Sequence, residues 1–446
     1  MTAGLRAALH HAVRLGPEVF WVSLGNGLML LGSFVGIKIL TSLLPPDEFG
    51  LLALGLAIAS FLHMLVFVPL GQHTLRFFPV AVQAQALGRF RATTDWAYGR
   101  GTVAVIVLAG AGLAGLAVAP DPRWLAIAAM AAPYGLAMGW RARYENQQMA
   151  ARERRAVAQF QIGDAWLRPA LAGGAILLIG PAAAPALLGY GLSTLALALV
   201  QARQARPLIG RSAAAAPTAA TDDDETLDRE KRALLRYCLP AALVAAAGAA
   251  STFADRWVLD GLLGVSEVGL YFAIYQIANA PAVLFVGIVT QFFLPIIFGK
   301  AGAMNLPEQA SAGARVLGYT IASFLVLMAP FIGLALWFGE PIVRFVTGEA
   351  YTAYHSLLWI MVCALGLNQL GLILTYKGAY HNRLGLYVLP RLGQAAILIA
   401  LMVVLVPGRG VAGAAYAALA SAAAYVACLV VINRRMGQGN APPEGP

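Results

Sequence analysis

The stretch Leu40–Leu51, LTSLLPPDEFGL, returns at Leu259–Leu270 as LDGLLGVSEVGL, and at that offset of 219 six of the twelve positions are identical. The same offset pairs Ile58 with Ile277, Ala59 with Ala278, Leu65 with Leu284, Gln72 with Gln291 and Leu75 with Leu294. Leucine and alanine coincide readily in apolar sequence, whereas Glu48/Glu267, Gly50/Gly269 and Gln72/Gln291 do not. Each copy joins one long apolar run to the next, and both cross in the same sense. The pattern is a parallel repeat about an axis along the membrane normal, one of the architectures transporters use, with the substrate path expected between the halves.

Composition sets the solvent. Hydrophobic residues are 60% of the 446 and charged residues 12%, too few for a water-facing surface. On a ruler of about 20 apolar residues per spanning helix, twelve runs qualify: 19–41, 50–71, 102–119, 124–140, 158–179, 186–202, 237–259, 268–292, 316–338, 355–375, 387–406 and 411–432. They are long, continuous and rich in Leu, Ala and Gly, which specifies helices rather than the short alternating strands of a barrel. The expected fold is an all-α polytopic membrane protein with about 12 transmembrane helices in two six-helix lobes. The lobes are 1–203 and 233–436, with a cytoplasmic linker at 204–232 and a disordered tail at 437–446. The linker is Ala/Pro-rich and carries the acidic run Asp222-Asp223-Asp224-Glu225, which reads as solvated chain or, alternatively, as a DxD metal site. The first run begins near Val19 with no cleavage-type sequence before it, so a retained first span is expected. Cys238, Cys363 and Cys428 lie in apolar runs with no CxxC and no histidine at ligand spacing; no metal site, disulfide or cofactor is expected.

Charge gives orientation. With the N-terminus inside, twenty-four basic residues fall on inner segments, only Arg123, Arg344 and Arg409 on outer loops, and four within spans, accounting for all 31. This positive-inside bias places both termini in the cytoplasm. Arginines beside anionic membrane lipids also account for the net charge of +10, so nucleic acid is not an expected partner.

Two stretches resemble a known family. Ile39–Leu54, ILTSLLPPDEFGLLAL, with Gly71–Pro79, GQHTLRFFP, is similar to the opening of polysaccharide-transporter family flippases, and Asp255–Asn279, DRWVLDGLLGVSEVGLYFAIYQIAN, to the start of their second lobe. These belong to the multidrug/oligosaccharidyl-lipid/polysaccharide exporter superfamily. The resemblance implies translocation of an undecaprenyl-diphosphate-linked oligosaccharide across a bacterial inner membrane for O-antigen, capsule or exopolysaccharide assembly. It also implies a polysaccharide polymerase and glycosyltransferases as working partners. Related lipid II flippases have two extra helices, so twelve spans fit the oligosaccharide branch.

Such a substrate carries negative charge through hydrocarbon, so cations are expected at membrane depth, where they are otherwise costly and rare. The four basic residues outside the loops are Lys38 in span 1, Arg168 in span 5, Arg256 in span 7 and Arg391 at the entrance of span 11. Lys38 and Arg256 sit one position apart on the repeat offset, and Arg168 and Arg391 fall on corresponding spans. With Arg76 at the cytoplasmic mouth they form the expected substrate-binding set. Each also has a plainer reading. Lys38 and Arg256 sit near helix ends, where side chains snorkel to the interface; Arg256 has Asp255 and Asp260 beside it; Arg168 has Asp164 one turn back. Arg76 and Arg391 suit topogenic residues. Coupling to a proton or sodium ion needs a group that changes charge or binds the ion, and Asp164, Asp255 and His63 are the candidates, His63 serving equally as packing.

Three rivals share features. A drug exporter of the same superfamily would favour acidic cavity residues. A major-facilitator carrier would show a GxxxDRxGRR pattern after span 2, absent from Gln72–Arg100. A glycan polymerase or ligase would need catalytic groups in a sizeable outer loop, and the longest, near 338–354, offers only Glu340, Arg344 and Glu349. With no P-loop either, the expected protein is not an enzyme and is not driven by ATP.

Overall fold

The computed structural model describes residues 25–116, 121–151, 153–214, 224–288, 307–380 and 383–438. Among these there is no strand, and twelve helices are long: α1 (Gly25–Leu43), α2 (Pro46–Gln83), α3 (Leu87–Leu116), α4 (Arg123–Ala150), α5 (Arg154–Ile179), α6 (Ala183–Ala214), α7 (Asp224–Leu263), α8 (Val265–Ile288), α9 (Pro307–Trp337), α10 (Leu358–Tyr380), α11 (Val388–Arg409) and α12 (Val411–Gln438). A short helix, Gly339–Thr347, and a 3-10 segment, Glu349–Leu357, join α9 to α10. The chain is thus an all-α polytopic membrane protein, with one long helix for each expected span. Residues 19–24, Gln291, most of the acidic run and 439–446 lie outside the described residues.

The helices outrun the apolar runs because hydropathy marks hydrocarbon, not the end of the hydrogen-bonded ladder. The 38 residues of α2 and the 40 of α7 extend about 57 and 60 Å at 1.5 Å per residue, nearly twice the hydrocarbon thickness of about 30 Å. Among the described residues eleven helices are long and apolar enough to cross a membrane; α4 is not among them, because Arg141, Arg143, Glu145, Gln147 and Gln148 occupy its second half. Much of the expected linker is helical too, since α6 continues to Ala214 and α7 begins at Asp224.

The chain forms two compact units, Val35–Arg256 and a second comprising Met1–Phe34 with Trp257–Pro446, so the divisions fall inside α1 and α7. Packing explains the division in α7: Leu234 and Cys238 join Leu62, Phe67, Leu70 and Tyr98 in one buried cluster, tying the start of α7 to α2 and α3. Val265 at the start of α8 follows Pro46 at the start of α2 by 219 residues, the offset of the sequence repeat.

In the first unit α2 is enclosed by α3, α4 and α6, and Phe49, Leu51, Leu52, Ala53 and Leu54 are at most 1% exposed. Close approach depends on small residues, as between helices in lipid. A Cβ on Gly135 of α4 would lie 2.9 Å from the Ala59 carbonyl oxygen of α2, and one on Gly189 of α6 would lie 2.5 Å from the Ala172 backbone of α5. The start of α2 is braced by its acidic first turn. Glu48 accepts the Ala183 N–H at 2.8 Å, and Arg123 reaches Asp47 at 3.2 Å, Glu48 at 3.4 Å and Asp121 at 3.0 Å. The hydrogen bonds from Arg123 hold the Asp121 carboxyl below its ordinary range. In the second unit α10 packs on α8, α9 and α12, and α11 on α12. Glu267, the repeat counterpart of Glu48, accepts the Tyr354 hydroxyl. Lys377 donates to the Asn433 carbonyl at 2.6 Å and Tyr387 to the Asn433 side chain at 2.6 Å, closing the other end of α10, α11 and α12.

Candidate functional site

The i, i+4 spacing on α5 places Asp164 and Arg168 on one face, where they form a direct ion pair. Asp164 is buried and receives a second cation from α4, Arg141 at 3.5 Å, whose other terminal nitrogen lies 3.4 Å from Glu145. Gln161 donates to Glu145 at 2.8 Å, and the Arg168 guanidinium lies 5.6 Å from the Tyr190 ring centre on α6. Two arginines and two carboxylates therefore neutralise one another, the condition under which charge survives burial. The balance is not complete in hydrogen bonds: Asp164 Oδ1, Arg141 Nε and Arg168 Nε have no partner among the described residues. His63, on α2, is within electrostatic reach of Arg141, stacks at 6.3 Å on Phe67, and has a buried Nδ1 with no partner among the described residues.

Arg256 and Asp255 form a second polar point in the same unit, both buried. The Arg256 N–H donates to Asp255 Oδ1 at 2.8 Å, its guanidinium donates to the Ala53 carbonyl of α2 at 3.4 Å, and it lies 5.3 Å from the Phe253 ring. Lys38 on α1 and Arg76 on α2 are exposed. Ser42 and Thr41 return their hydroxyls to the Lys38 carbonyl, and Arg76 stacks on Phe77 at 5.5 Å and Tyr237 at 5.7 Å.

Arg391, near the start of α11 in the second unit, is held differently. It donates to Gln394 at 2.8 Å and to Asn368 of α10 at 3.3 Å, and lies 5.4 Å from the Tyr425 ring of α12; Gln394 in turn donates to Asn368 at 2.7 Å. These partners are neutral, and no carboxylate pairs with Arg391 among the described residues. A cation held by amides and a phenol keeps its charge and can accept an anion without first losing a carboxylate.

Residues 15–299 match the family described as polysaccharide biosynthesis protein. The chain belongs to that family. The membership accords with the resemblance carried by the repeat stretches, which placed it in the polysaccharide-transporter branch of the superfamily. No curated protein matches the sequence. Among solved structures, the chain is similar to an inward-facing MATE family multidrug transporter of the MOP superfamily (14% identity, 93% of this chain and 96% of that one, TM-score 0.66). It is similar to the lipid II flippase MurJ in an inward closed conformation (12% identity, 93% and 87%, TM-score 0.64) and to a Vibrio cholerae MATE transporter (13% identity, 96% and 98%, TM-score 0.61). At these identities the likeness is one of fold.

Within this family member, the structure gathers Asp164 and Arg168 with His63 nearby, joins Asp255 to Arg256, and among the described residues gives Lys38 and Arg76 no ion pair with either group; Arg391 belongs to the second unit. Of the two readings of Arg168, the ion pair with Asp164 that the i, i+4 spacing allows is the arrangement present. Sequence reasoning missed Arg141, which was counted among inner-segment arginines because the apolar run ends at Trp140. The usable signal was Glu145 four residues on, with α4 continuing nine residues past Arg141 to Ala150. Asn368, Gln394 and Tyr425 were missed as a cage because no spacing links α10, α11 and α12.

Proposed function

We propose that the protein moves an undecaprenyl-diphosphate-linked oligosaccharide from the cytoplasmic to the periplasmic leaflet of a bacterial inner membrane by alternating access, for O-antigen, capsule or exopolysaccharide assembly. The observation that carries this is Arg391 in its cage of Asn368, Gln394 and Tyr425: a cation on a spanning helix, retained without a carboxylate, suits a diphosphate or acidic sugar. Arg256, Lys38 and Arg76 are further contacts along the path, whereas Arg168, paired with Asp164, holds the protein rather than the cargo. Asp164 and His63, with their unpartnered oxygen and nitrogen, serve proton or sodium coupling, and Asp255 is the third candidate. Both termini are cytoplasmic, and glycosyltransferases and a polysaccharide polymerase supply and consume the cargo. The protein itself makes and breaks no covalent bond. Depletion should leave completed lipid-linked oligosaccharide accumulating and inaccessible from the periplasm; shortened or unfinished lipid-linked glycan would instead favour an enzyme.

A multidrug exporter of the same superfamily is the second reading, favoured by the likeness to the MATE transporters. It predicts hypersensitivity of the depleted strain to organic cations with glycan display intact, the reverse of the flippase outcome.

A further inference from the structure

A cavity of about 310 Å³ lies within the first unit where the end of α2, the start of α3 and the start of α7 meet. Its volume is at the lower end of ligand-binding cavities, about 300 to 1,000 Å³. Phe77, Val80, Ala81, Ala84, Phe90 and Ala233 make its wall largely apolar, and Val80 is 55% exposed, so the apolar side opens to the outside of the bundle. His73 closes the inner end, stacked on Phe90 at 5.9 Å and packed on Phe77 at 4.6 Å. The rim is polar. Glu230 takes the Thr93 hydroxyl at 3.3 Å and lies 3.6 Å from Arg89 Nε. That contact leaves the terminal NH2 groups of Arg89 without a partner among the described residues, and these are the groups that grip phosphate oxygens.

We infer that this cavity holds an anionic phospholipid, one acyl chain against Phe77, Val80, Ala84 and Phe90 and the phosphate on Arg89. Three observations support the assignment. The site sits where α3 meets the start of α7, with Arg89 at Glu230 and both Arg100 and Lys231 over the Trp96 ring, on the side that sequence charge assigns to the anionic cytoplasmic leaflet. The Arg89–Glu230 pair is more than a third exposed on both sides, so it is weak and yields readily to a phosphate. A sugar is disfavoured, because the wall is largely apolar and the Thr93 hydroxyl is already given to Glu230, leaving few groups for a row of hydroxyls. Such a lipid would span α2, α3 and α7 and stabilise their common end, independently of the cargo path.

The test uses the full chain purified in neutral detergent, with thermal unfolding followed as lipid is added. Dioleoyl phosphatidylglycerol should raise the midpoint at concentrations at least tenfold below those required of dioleoyl phosphatidylcholine. Arg89→Gln should abolish that preference, and Ala84→Trp, which fills the cavity, should abolish the response. An equal response to both lipids, a full response from Ala84→Trp, or the same shift from inorganic phosphate or glucose alone would overturn the proposal. Should Ala84→Trp not accumulate, phosphatidylglycerol with a photoactivatable acyl chain on the unaltered protein decides it: label in peptides containing Phe77–Ala84 and Phe90 supports the site, and its absence there refutes it.

Discussion

Arg168 and Arg391 stand on α5 and α11, 223 residues apart and so within about one turn of the repeat offset, yet their surroundings are opposite in kind. Arg168 is neutralised by Asp164, which Arg141 also serves, and Glu145 balances the remaining charge. Arg391 has two amides and a tyrosine ring. The sequence repeat thus puts a cation at comparable positions in very different company, once inside a self-contained ionic lattice and once among neutral partners. The difference teaches that depth in the membrane does not by itself distinguish a paired cation from one able to meet an anion; the partner does. Removing a cation from a balanced lattice strands a carboxylate, whereas removing one from a neutral cage strands nothing charged.

The largest expected effect follows from that asymmetry. Arg391→Ala should leave membrane abundance near normal, since Asn368 and Gln394 still bond each other, while glycan export falls severely. Loss of a charge-assisted contact of about 1.5–3 kcal/mol weakens binding by roughly 10- to 150-fold. Arg391→Lys should recover part of it, keeping charge but not the guanidinium fork. Surface glycan measured against protein level checks both; unimpaired export by Arg391→Ala would erase the distinction between the two arginines.

Arg168→Ala should act on the protein rather than the cargo. Breaking a buried ion pair costs about 3–5 kcal/mol, reduced here because Arg141 still reaches Asp164 at 3.5 Å. Membrane abundance by in-gel fluorescence should fall, and Asp164→Ala in the same chain should restore it. A normally abundant single variant with failed export would instead make Arg168 a cargo contact.

The two repeat glutamates sharpen the comparison further. Glu48→Gln loses the attraction of Arg123 while keeping an acceptor for Ala183, and should lower the thermal midpoint more than Glu267→Gln, whose partner Tyr354 is neutral. The difference should be of the order of 1 kcal/mol or less, as for partly exposed pairs. Smallest of all is Asp121. Its carboxyl is held below the ordinary value of 3.8 by Arg123, so the stability it lends is complete above pH 3.8 and is lost as pH falls below it. Asp121→Asn should flatten that part of the unfolding profile slightly.

The helices were legible in the sequence because twenty apolar residues in lipid leave the backbone one solution, and the glutamate and glycine of the repeat fixed where α2 and α8 begin. The pairing of Arg168 with Asp164 was legible as a spacing, since i and i+4 share a helix face. The rest depended on contacts between helices. Arg141 reaches Asp164 across the α4–α5 contact, and the cage of Arg391 draws on three helices. Hydropathy also understated α6 and α7, whose charged ends remain helical.

Flipping in proteoliposomes tests the central claim most directly, using a fluorescent undecaprenyl-diphosphate oligosaccharide and a membrane-impermeant quencher that reports its leaflet. The account predicts rapid loss of leaflet asymmetry with the unaltered protein and with Arg168→Ala/Asp164→Ala at equal density, if coupling is bypassed by a cargo gradient, and persistence of asymmetry with Arg391→Ala. Asymmetry that persists with the unaltered protein, or flipping by Arg391→Ala at the unaltered rate, would contradict it.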